Sequence, residues 1–314
     1  MTLPQNVRDQ IVSWLDAGEI EVFIGWEKGP VPLRATPAFV RDAEGVERLI
    51  WDATCENNLA AFLPRYKGKK VGIMVKGCDS RAIIGLLAEG QVLRENLRIV
   101  GASCPGVIDP KRVADRLEMP VEDIEEGNIE NGQVIVQGEC LPISEVYYDL
   151  CLACSYHNPV ISDVQMNEAL PEDPIADPFA LVHEMEALSD AERWARFTEE
   201  VDRCNLCFAC RNACPLCYCN VCFVDRTQPR WLNQTTCPED KQFYQIMRTF
   251  HLAGRCVSCG ACTRACPQGV NIRLFLDKLR LDVKELFGYE AGVDPEAKPP
   301  LRTYRQDDYN DFIM

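Results

Sequence analysis

Two copies of one cysteine pattern lie in the C-terminal part of the chain. Each copy reads Cys-x2-Cys-x2-Cys-x3-Cys and is followed directly by proline. The first copy is Cys204, Cys207, Cys210 and Cys214, and the second is Cys256, Cys259, Cys262 and Cys266. Each iron atom of a [4Fe-4S] cubane takes one thiolate, and three sulfurs at this spacing surround one small cavity. The pattern therefore predicts chemistry in which electrons move one at a time.

The fourth cysteine of each copy is predicted to serve the cluster of the other copy, as it does in bacterial-type ferredoxins. Zinc sites usually take their ligands as two pairs, often with histidine, and disulfides need an oxidising compartment. Neither alternative fits two triplets that each have an outlying cysteine before proline. The predicted ligands are Cys204, Cys207, Cys210 and Cys266 for cluster 1, and Cys214, Cys256, Cys259 and Cys262 for cluster 2.

An insertion, residues 215–255, separates the two copies and carries four more cysteines. Four thiolates are the number that one further cluster or one zinc ion would need. The alternative is that these cysteines are buried thiols packed beside the clusters. The four are Cys217, Cys219, Cys222 and Cys237.

The elements that must position these residues differ between the two ends of the chain. Buried strands at 69–75 and 97–102 are each followed by a loop and a helical pattern, which predicts an α/β domain with a mostly parallel sheet. Helical patterns surround the cysteine runs and predict an α-helical, ferredoxin-like domain with two [4Fe-4S] clusters. The predicted boundaries are an α/β domain at 1–155, a linker at 156–188, the ferredoxin-like domain at 189–290 and a tail at 291–314.

Five cysteines of the α/β domain form a second candidate centre. Cys78 and Cys104 each follow a predicted strand, and ligands of open α/β sheets bind at the carboxyl edge of the strands. One further cluster at this edge is one hypothesis, and cysteines that act as small buried hydrophobes are the alternative. The candidate ligands are Cys55, Cys78, Cys104, Cys151 and Cys154.

The loop after the strand at 69–75 has features of an anion site. It opens a helix, whose N-terminal N–H groups attract phosphate, and it has basic residues at both ends. A flavin phosphate is the predicted ligand, while a polar side chain that simply caps the helix is the alternative. The candidate residues are Lys76, Gly77, Asp79, Ser80 and Arg81.

Composition and charge limit which compartment and which classes of partner are expected for the chain. The net charge of −15 argues against nucleic acid as a partner, because phosphate binding needs clustered Lys and Arg. Residues 1–10 are polar and lack the apolar core of a secretory signal, and no apolar run is long enough to span a bilayer. With 18 cysteines, the chain is expected to bind metal in a reducing cytoplasm.

Three blocks of sequence resemble a known family. Residues 71–81 (VGIMVKGCDSR), 99–107 (IVGASCPGV) and 203–219 (RCNLCFACRNACPLCYC) are similar to the beta subunits of deazaflavin-coenzyme hydrogenases and dehydrogenases, which include some formate dehydrogenases. The resemblance implies a subunit that passes electrons between a catalytic redox subunit and a flavoprotein subunit. It also implies FAD in the α/β domain of the family beside its [4Fe-4S] clusters.

The sequence thus predicts an iron-sulfur electron-transfer subunit of a cytoplasmic redox complex of the hydrogenase, formate dehydrogenase or heterodisulfide reductase type. Its expected cofactors are two [4Fe-4S] clusters, with one or two further clusters and FAD as open alternatives. No histidine stands at a catalytic spacing, so no catalytic residue is predicted. The rival functions are a flavin-bearing beta subunit that itself reduces a deazaflavin or nicotinamide, and a zinc-binding scaffold.

Overall fold

The computed structural model describes residues 2–172, 177–233 and 235–300, and the predicted tail lies outside these residues from 301 onwards. The described chain forms two compact units. The first comprises residues up to 80 together with 90–172. The second comprises 81–89 and the described residues from 177 onwards.

A six-stranded sheet forms the centre of the first unit as the structure describes it. Its central strand β4 is buried along its whole length, as expected for a parallel strand covered on both faces. The strand order is β2-β1-β4-β5-β9, with β3 paired to β1. The strands are β1 Val22–Lys28, β2 Ala35–Val40, β3 Leu49–Ile50, β4 Val71–Val75, β5 Leu97–Gly101 and β9 Val164–Gln165.

The run β1-β4-β5-β9 is parallel throughout, whereas β2 and β3 pair antiparallel with β1. The predicted α/β domain with a mostly parallel sheet is therefore confirmed. Because β4 and β5 lie side by side in parallel, the loops that follow them leave the sheet at the same edge. This arrangement puts the segments that follow the two strands, which carry Cys78 and Cys104, next to each other.

Four α-helices lie wholly within the first unit as described: α1 Gln5–Asp16, α2 Ala43–Glu47, α4 Pro110–Arg116 and α5 Asp149–Leu152. Helix α3 Gly77–Ala88 begins in the first unit, and its residues from 81 onwards belong to the second. Helix α1 buries Val7, Ile11 and Trp14, which recur on one face at helical spacing. Helix α4 begins at Pro110, where the missing N–H of proline costs nothing, and the Asp109 side chain accepts a hydrogen bond from the Lys111 N–H at 3.0 Å.

A small antiparallel sheet completes the first unit. It consists of β6 Gly127–Glu130, β7 Gln133–Val136 and β8 Glu139–Pro142. Asn131 and Gly132 join β6 to β7, both with positive φ, as the tight turn of a hairpin requires. The side chains of Val134 and Val136 pack into an apolar cluster with Val113 of α4. The Asn-Gly pair at this turn is a strong hairpin signal in the sequence.

The described residues of the second unit contain helices and loops without a strand. Its helices are α6 Ala180–Glu186, α7 Asp190–Asp202, α8 Ala209–Asn212, α9 Pro238–Phe250, α10 Ala261–Arg264 and α11 Arg273–Phe287. Helix α9 packs against α7 and α11. None of the helices in the described ranges is long and apolar enough to cross a membrane.

Helix α7 begins with a capping box, as its sequence predicts. The Ser189 side chain accepts a hydrogen bond from the Glu192 N–H, and the Glu192 carboxylate accepts one from the Ser189 N–H at 2.9 Å. Two N–H groups that would otherwise lack a partner are satisfied in this way. The box sets where the helix leading to Cys204 begins.

Loss of the cap should loosen the first turn of α7. Substitution Ser189→Ala is expected to lower local stability by about 1 kcal/mol, the usual value for an N-cap side chain. Hydrogen exchange of the amides in that turn measures the change, and Thr227→Ala, in an exposed loop of the same unit, is the matched control. Unaltered exchange in Ser189→Ala would contradict this role of the capping box.

Candidate metal centres

The two cysteine runs adopt the same local backbone. Leu206 and Phe208 have φ of 56° and 60°, and the corresponding Ser258 and Gly260 have 53° and 69°. Left-handed backbone is unfavourable for residues other than glycine and is concentrated at functional sites. In both runs, a short helix follows these residues and carries the third cysteine, α8 in the first and α10 in the second. The sequence repeat is therefore also a structural repeat.

Backbone N–H groups point at cysteine sulfurs within these loops. The Leu206 N–H donates to the Cys204 Sγ at 3.4 Å, and the Ser258 N–H donates to the Cys256 Sγ at the same distance. The N–H of Val270 donates to the Cys266 Sγ at 3.3 Å. Hydrogen bonds to a sulfur favour its thiolate, which is the form that binds metal.

Four cysteines line one cavity of the second unit, and they are the four predicted for cluster 2. Cys256, Cys259 and Cys262 come from the second run, and Cys214 comes from the end of the first run. The cavity also includes Leu216, Leu252, Leu276 and the guanidinium of Arg248 among its lining side chains. An apolar wall with converging thiols has the donor set that a [4Fe-4S] cluster needs.

Three of the four cysteines predicted for cluster 1 share one apolar cluster. Cys204 is buried there, and Cys210 and Cys266 pack against it. The fourth, Cys207, is exposed, and its N–H donates to the Asn205 side chain at 3.3 Å. The structure thus brings the end of the second run to the first run, as crossed ligation would require.

Helix α9 of the insertion presents polar side chains to these cysteines. The Tyr244 hydroxyl lies 3.3 Å from the Cys210 Sγ, and the Gln245 amide donates to the Cys204 Sγ at 3.3 Å. Arg248 donates from Nη2 to the Cys210 carbonyl oxygen at 3.0 Å. Sequence analysis missed these residues, whose only signal is polar side chains on the inner face of a helix between the two runs.

Arg248 is the least satisfied of these side chains. It is only 3% exposed, and its Nε and Nη1 are buried without a hydrogen-bond partner among the described residues. A buried donor without a partner costs about 1–3 kcal/mol, and more when it is charged. Two buried donors beside a cavity lined by thiols fit a group that carries negative charge and accepts hydrogen bonds. This is an independent sign that the residues suit an iron-sulfur cluster.

Burial makes the metal-free cysteines weak acids. Burial, together with the neighbouring Cys214 thiol, raises the pKa of Cys259 to about 11. The pKa of Cys256 is also raised, mainly by burial. These thiols hold their protons at neutral pH, so metal binding must release protons from the site.

The four cysteines of the insertion have different surroundings. Cys217 lies beside Cys214, whose thiol hydrogen bond lowers the pKa of Cys217. Cys237 accepts a hydrogen bond from the Thr235 hydroxyl at 2.9 Å and lies 3.4 Å from an Asp240 carboxylate oxygen. Cys219 is exposed, and Cys222 packs at the edge of the apolar cluster around Cys204. A third centre on these four cysteines stays a prediction.

The five candidate cysteines of the first unit lie around Lys76 and Cys104. Burial, together with the neighbouring Cys151 and Cys154, raises the pKa of Cys104 to about 12. Burial also raises the pKa of Cys55. The charge of Lys76 lowers this pKa, and the neighbouring Cys104 raises it. Cys78 is a near neighbour of the Lys76 ammonium group. The structure therefore brings this group together, whereas Cys140 lies exposed on β8.

Lys76 is a buried cation with three kinds of partner. Its Nζ lies 3.0 Å from the Asp79 carboxylate, donates to the Asn57 carbonyl oxygen at 2.8 Å and stands 4.2 Å from the centre of the Trp26 ring. Both side chains of the ion pair are almost fully buried. The Asp79 carboxylate offsets the charge of the Lys76 ammonium, so the pair as a whole is neutral.

The residues predicted to bind a flavin phosphate are engaged with the protein. A Cβ at Gly77 would lie 2.1 Å from the Tyr156 carbonyl oxygen, and the Ser80 hydroxyl donates to the Gly77 carbonyl oxygen at 2.8 Å. Lys76 pairs with Asp79, and the Arg81 guanidinium donates to the Ala291 carbonyl oxygen at 2.7 Å. These contacts give the phosphate site no support, and flavin binding stays a prediction.

In the ranges that the structure describes, no three His, Cys, Asp or Glu side chains converge as the ligands of a single metal ion would. A cubane makes a different demand, because each of its cysteines binds a separate iron atom. The cysteine groups above are therefore candidates for clusters.

Known proteins resemble this chain along most of its length. The F420-dependent formate dehydrogenase subunit beta of Methanocaldococcus jannaschii is 22% identical over an alignment 350 residues long, which covers 91% of each chain. The F420-dependent formate dehydrogenase 1 subunit beta of Methanococcus maripaludis is 23% identical over 351 residues, 91% of this chain and 90% of the relative. The chain resembles the beta subunits of F420-dependent formate dehydrogenases. The resemblance predicted from the three sequence blocks is thereby confirmed.

The similarity to formate dehydrogenase beta subunits includes parts of both units, because it covers 91% of the chain. A solved structure of the F420-reducing [NiFe] hydrogenase complex from Methanosarcina barkeri, derivatised with xenon, has a chain that matches 50% of this one. The match covers 60% of that chain, with 17% identity and a TM-score of 0.39. No family model matches the chain.

Removal of the buried cation in the first unit should be costly. Substitution Lys76→Met is expected to lower the free energy of unfolding by about 3–5 kcal/mol, because it leaves the Asp79 carboxylate buried and unpaired. The double substitution Lys76→Met with Asp79→Asn should recover a large part of that loss. Urea unfolding followed by circular dichroism measures both effects.

The control for this pair is Lys69→Met. Lys69 forms an exposed ion pair with Glu21 at 3.6 Å, so its loss should change the free energy of unfolding by less than about 1 kcal/mol. If Lys76→Met is as stable as the Lys69→Met control, the buried pair does not have the stabilising role described above.

Proposed function

We propose that this chain is an iron-sulfur electron-transfer subunit of a multi-subunit redox complex. The observation that carries the proposal is the cavity that Cys214 shares with Cys256, Cys259 and Cys262. Cysteines from the two runs lie together there, and the first run receives Cys266 in return. The similarity to beta subunits of F420-dependent formate dehydrogenases supports the same function.

In this proposal, two [4Fe-4S] clusters within residues 189–290 form the relay, and each bound cluster supplies a one-electron redox step. Cys204, Cys207, Cys210 and Cys266 hold the first, and Cys214, Cys256, Cys259 and Cys262 hold the second. The apolar walls keep water from the sulfurs, and the backbone N–H groups stabilise the thiolates.

The electrons are proposed to come from one partner and leave to another. The partners are a catalytic redox subunit, which carries out the substrate chemistry, and a flavoprotein subunit. The relatives named above are themselves subunits, which supports a place in a complex.

Metal analysis of the anaerobically purified chain tests the relay. Substitution Cys259→Ala should remove about four irons and four sulfides, because a cubane that lacks one of its ligands is not retained. Cys140→Ala is the matched control, since Cys140 is exposed and belongs to none of the proposed sites. Zinc in place of iron in the unchanged chain would overturn the proposal, and stoichiometric FAD would favour the flavin-bearing alternative.

A further cluster is proposed for the first unit, on four of the five cysteines around Lys76. The carrying observation is the neighbourhood of Cys104, which includes Cys55, Cys151 and Cys154. Substitution Cys104→Ala should remove about four irons, and the double variant with Cys259→Ala should lose about eight. Iron content is again the measurement. If Cys104→Ala keeps all the iron of the unchanged chain, the first-unit centre is wrong while the relay stands.

A further inference from the structure

Helix α9 is the part of the insertion that faces the cysteines of both runs. It contributes the Tyr244 hydroxyl, the Gln245 amide and the Arg248 guanidinium to one side of the cysteine groups. These residues stand at positions i, i+1 and i+4, which share one face of a helix. All three are buried, with exposed fractions of 1%, 2% and 3%. A helix that only filled space would have apolar side chains on this face.

The contacts of Tyr244 and Gln245 point to the first set of cysteines alone. The Tyr244 hydroxyl lies 3.3 Å from the Cys210 sulfur, and the Gln245 Nε2 donates to the Cys204 sulfur at 3.3 Å. Both sulfurs belong to the predicted cluster 1. A donor to a sulfur stabilises negative charge on it, so both contacts favour the more reduced state of that cluster.

Arg248 differs from them because it reaches both sets. Its Nη2 donates to the Cys210 carbonyl oxygen at 3.0 Å, and its side chain lines the cavity that holds Cys214 and Cys262. Its Nε and Nη1 have no partner in the described chain and are shielded from water. The positive charge therefore lies between the two sites and has unused donors.

We propose that α9 sets the redox potentials of the relay, and that Arg248 raises the potentials of both clusters together. This inference rests on the proposed function. One-electron reduction adds one negative charge to a cluster and breaks no bond. A fixed positive charge in a poorly solvated place lowers the free energy of the reduced state relative to the oxidised state. The potential is therefore higher with Arg248 than without it.

The same geometry separates the effects of the two main side chains. Arg248 affects both clusters because it contacts both sets of cysteines. The Tyr244 hydroxyl contacts Cys210 of the first set, so it affects cluster 1. The insertion thus both spaces the two runs and tunes them, with a shared shift from Arg248 and a shift of one cluster from Tyr244.

A redox titration followed by electron paramagnetic resonance tests this on the full-length protein with its clusters, with dithionite as the reductant. In Arg248→Gln, the ratio of reduced to oxidised cluster at a fixed solution potential should fall about tenfold for both clusters, or about 59 mV for a one-electron couple. Arg248→Lys keeps the charge and should shift both clusters less. Tyr244→Phe should lower the potential of one cluster and leave the other unchanged.

The matched control is Lys241→Gln on the same helix. The Lys241 ammonium is exposed and donates to the Asp202 carbonyl oxygen at 2.6 Å, so solvent and salt screen its charge. Its removal should leave both potentials unchanged within the error of the titration. Equal shifts in Lys241→Gln and Arg248→Gln would show that only the net charge matters and would overturn the proposal.

The outcomes distinguish this inference from the proposed function. If the unchanged protein has no cluster signals, the relay itself is wrong. If it has two clusters, and Arg248→Gln and Tyr244→Phe both leave their potentials as in the unchanged protein, only the tuning role of α9 is wrong. If the Arg248→Gln variant loses its iron, the tuning role of α9 is tested by Tyr244→Phe alone, because this variant removes only the hydroxyl oxygen and keeps the ring. Unchanged potentials in that variant overturn the proposal.

Discussion

The structure of the second unit depends on how charge is balanced around buried sulfur. Cysteine thiols in an apolar cavity hold their protons, as the raised pKa values of Cys256 and Cys259 indicate. A cavity of this kind favours metal-bound thiolates only if metal, backbone N–H groups and buried cations together offset the negative charge. The left-handed residues of each run and the inner face of α9 supply the protein's share. The strained backbone and the unpartnered donors of Arg248 therefore have one common explanation.

The first unit also has a buried cation beside its cysteines. Its cysteines gather at the edge of a parallel sheet, and the cation beside them, Lys76, is held by Asp79, Asn57 and Trp26. An ion pair buried this deeply is a poor source of stability compared with apolar packing. The ion pair holds the Lys76 ammonium group next to Cys78 and Cys104, with the Asp79 carboxylate offsetting its charge. Both cysteine groups thus have a buried cation as a neighbour.

Local patterns predicted much of the fold but not every element. The parallel strands, the helix at Pro110 and the capping box at Ser189 follow from short-range chemistry, and the structure contains them. The outer strands of the small sheet were missed because their alternation is weak and their surroundings are acidic. The anion site suggested by Lys76 and Ser80 looked plausible in sequence. In the structure, the backbone of Tyr156 lies against Gly77, a contact that no local pattern could reveal.

The sequence by itself predicted the ligand chemistry, because the spacing of two identical cysteine runs is a local property that does not depend on the fold. It also indicated that the insertion between them was more than a loop. The crossed pairing of the two runs was predicted from their spacing, and the tertiary structure places Cys214 with the second run and Cys266 with the first through contacts between residues far apart in the chain. Only the tertiary structure decided that α9 turns Tyr244, Gln245 and Arg248 toward the sulfurs. Helix packing sets that orientation, and no spacing in the sequence encodes it.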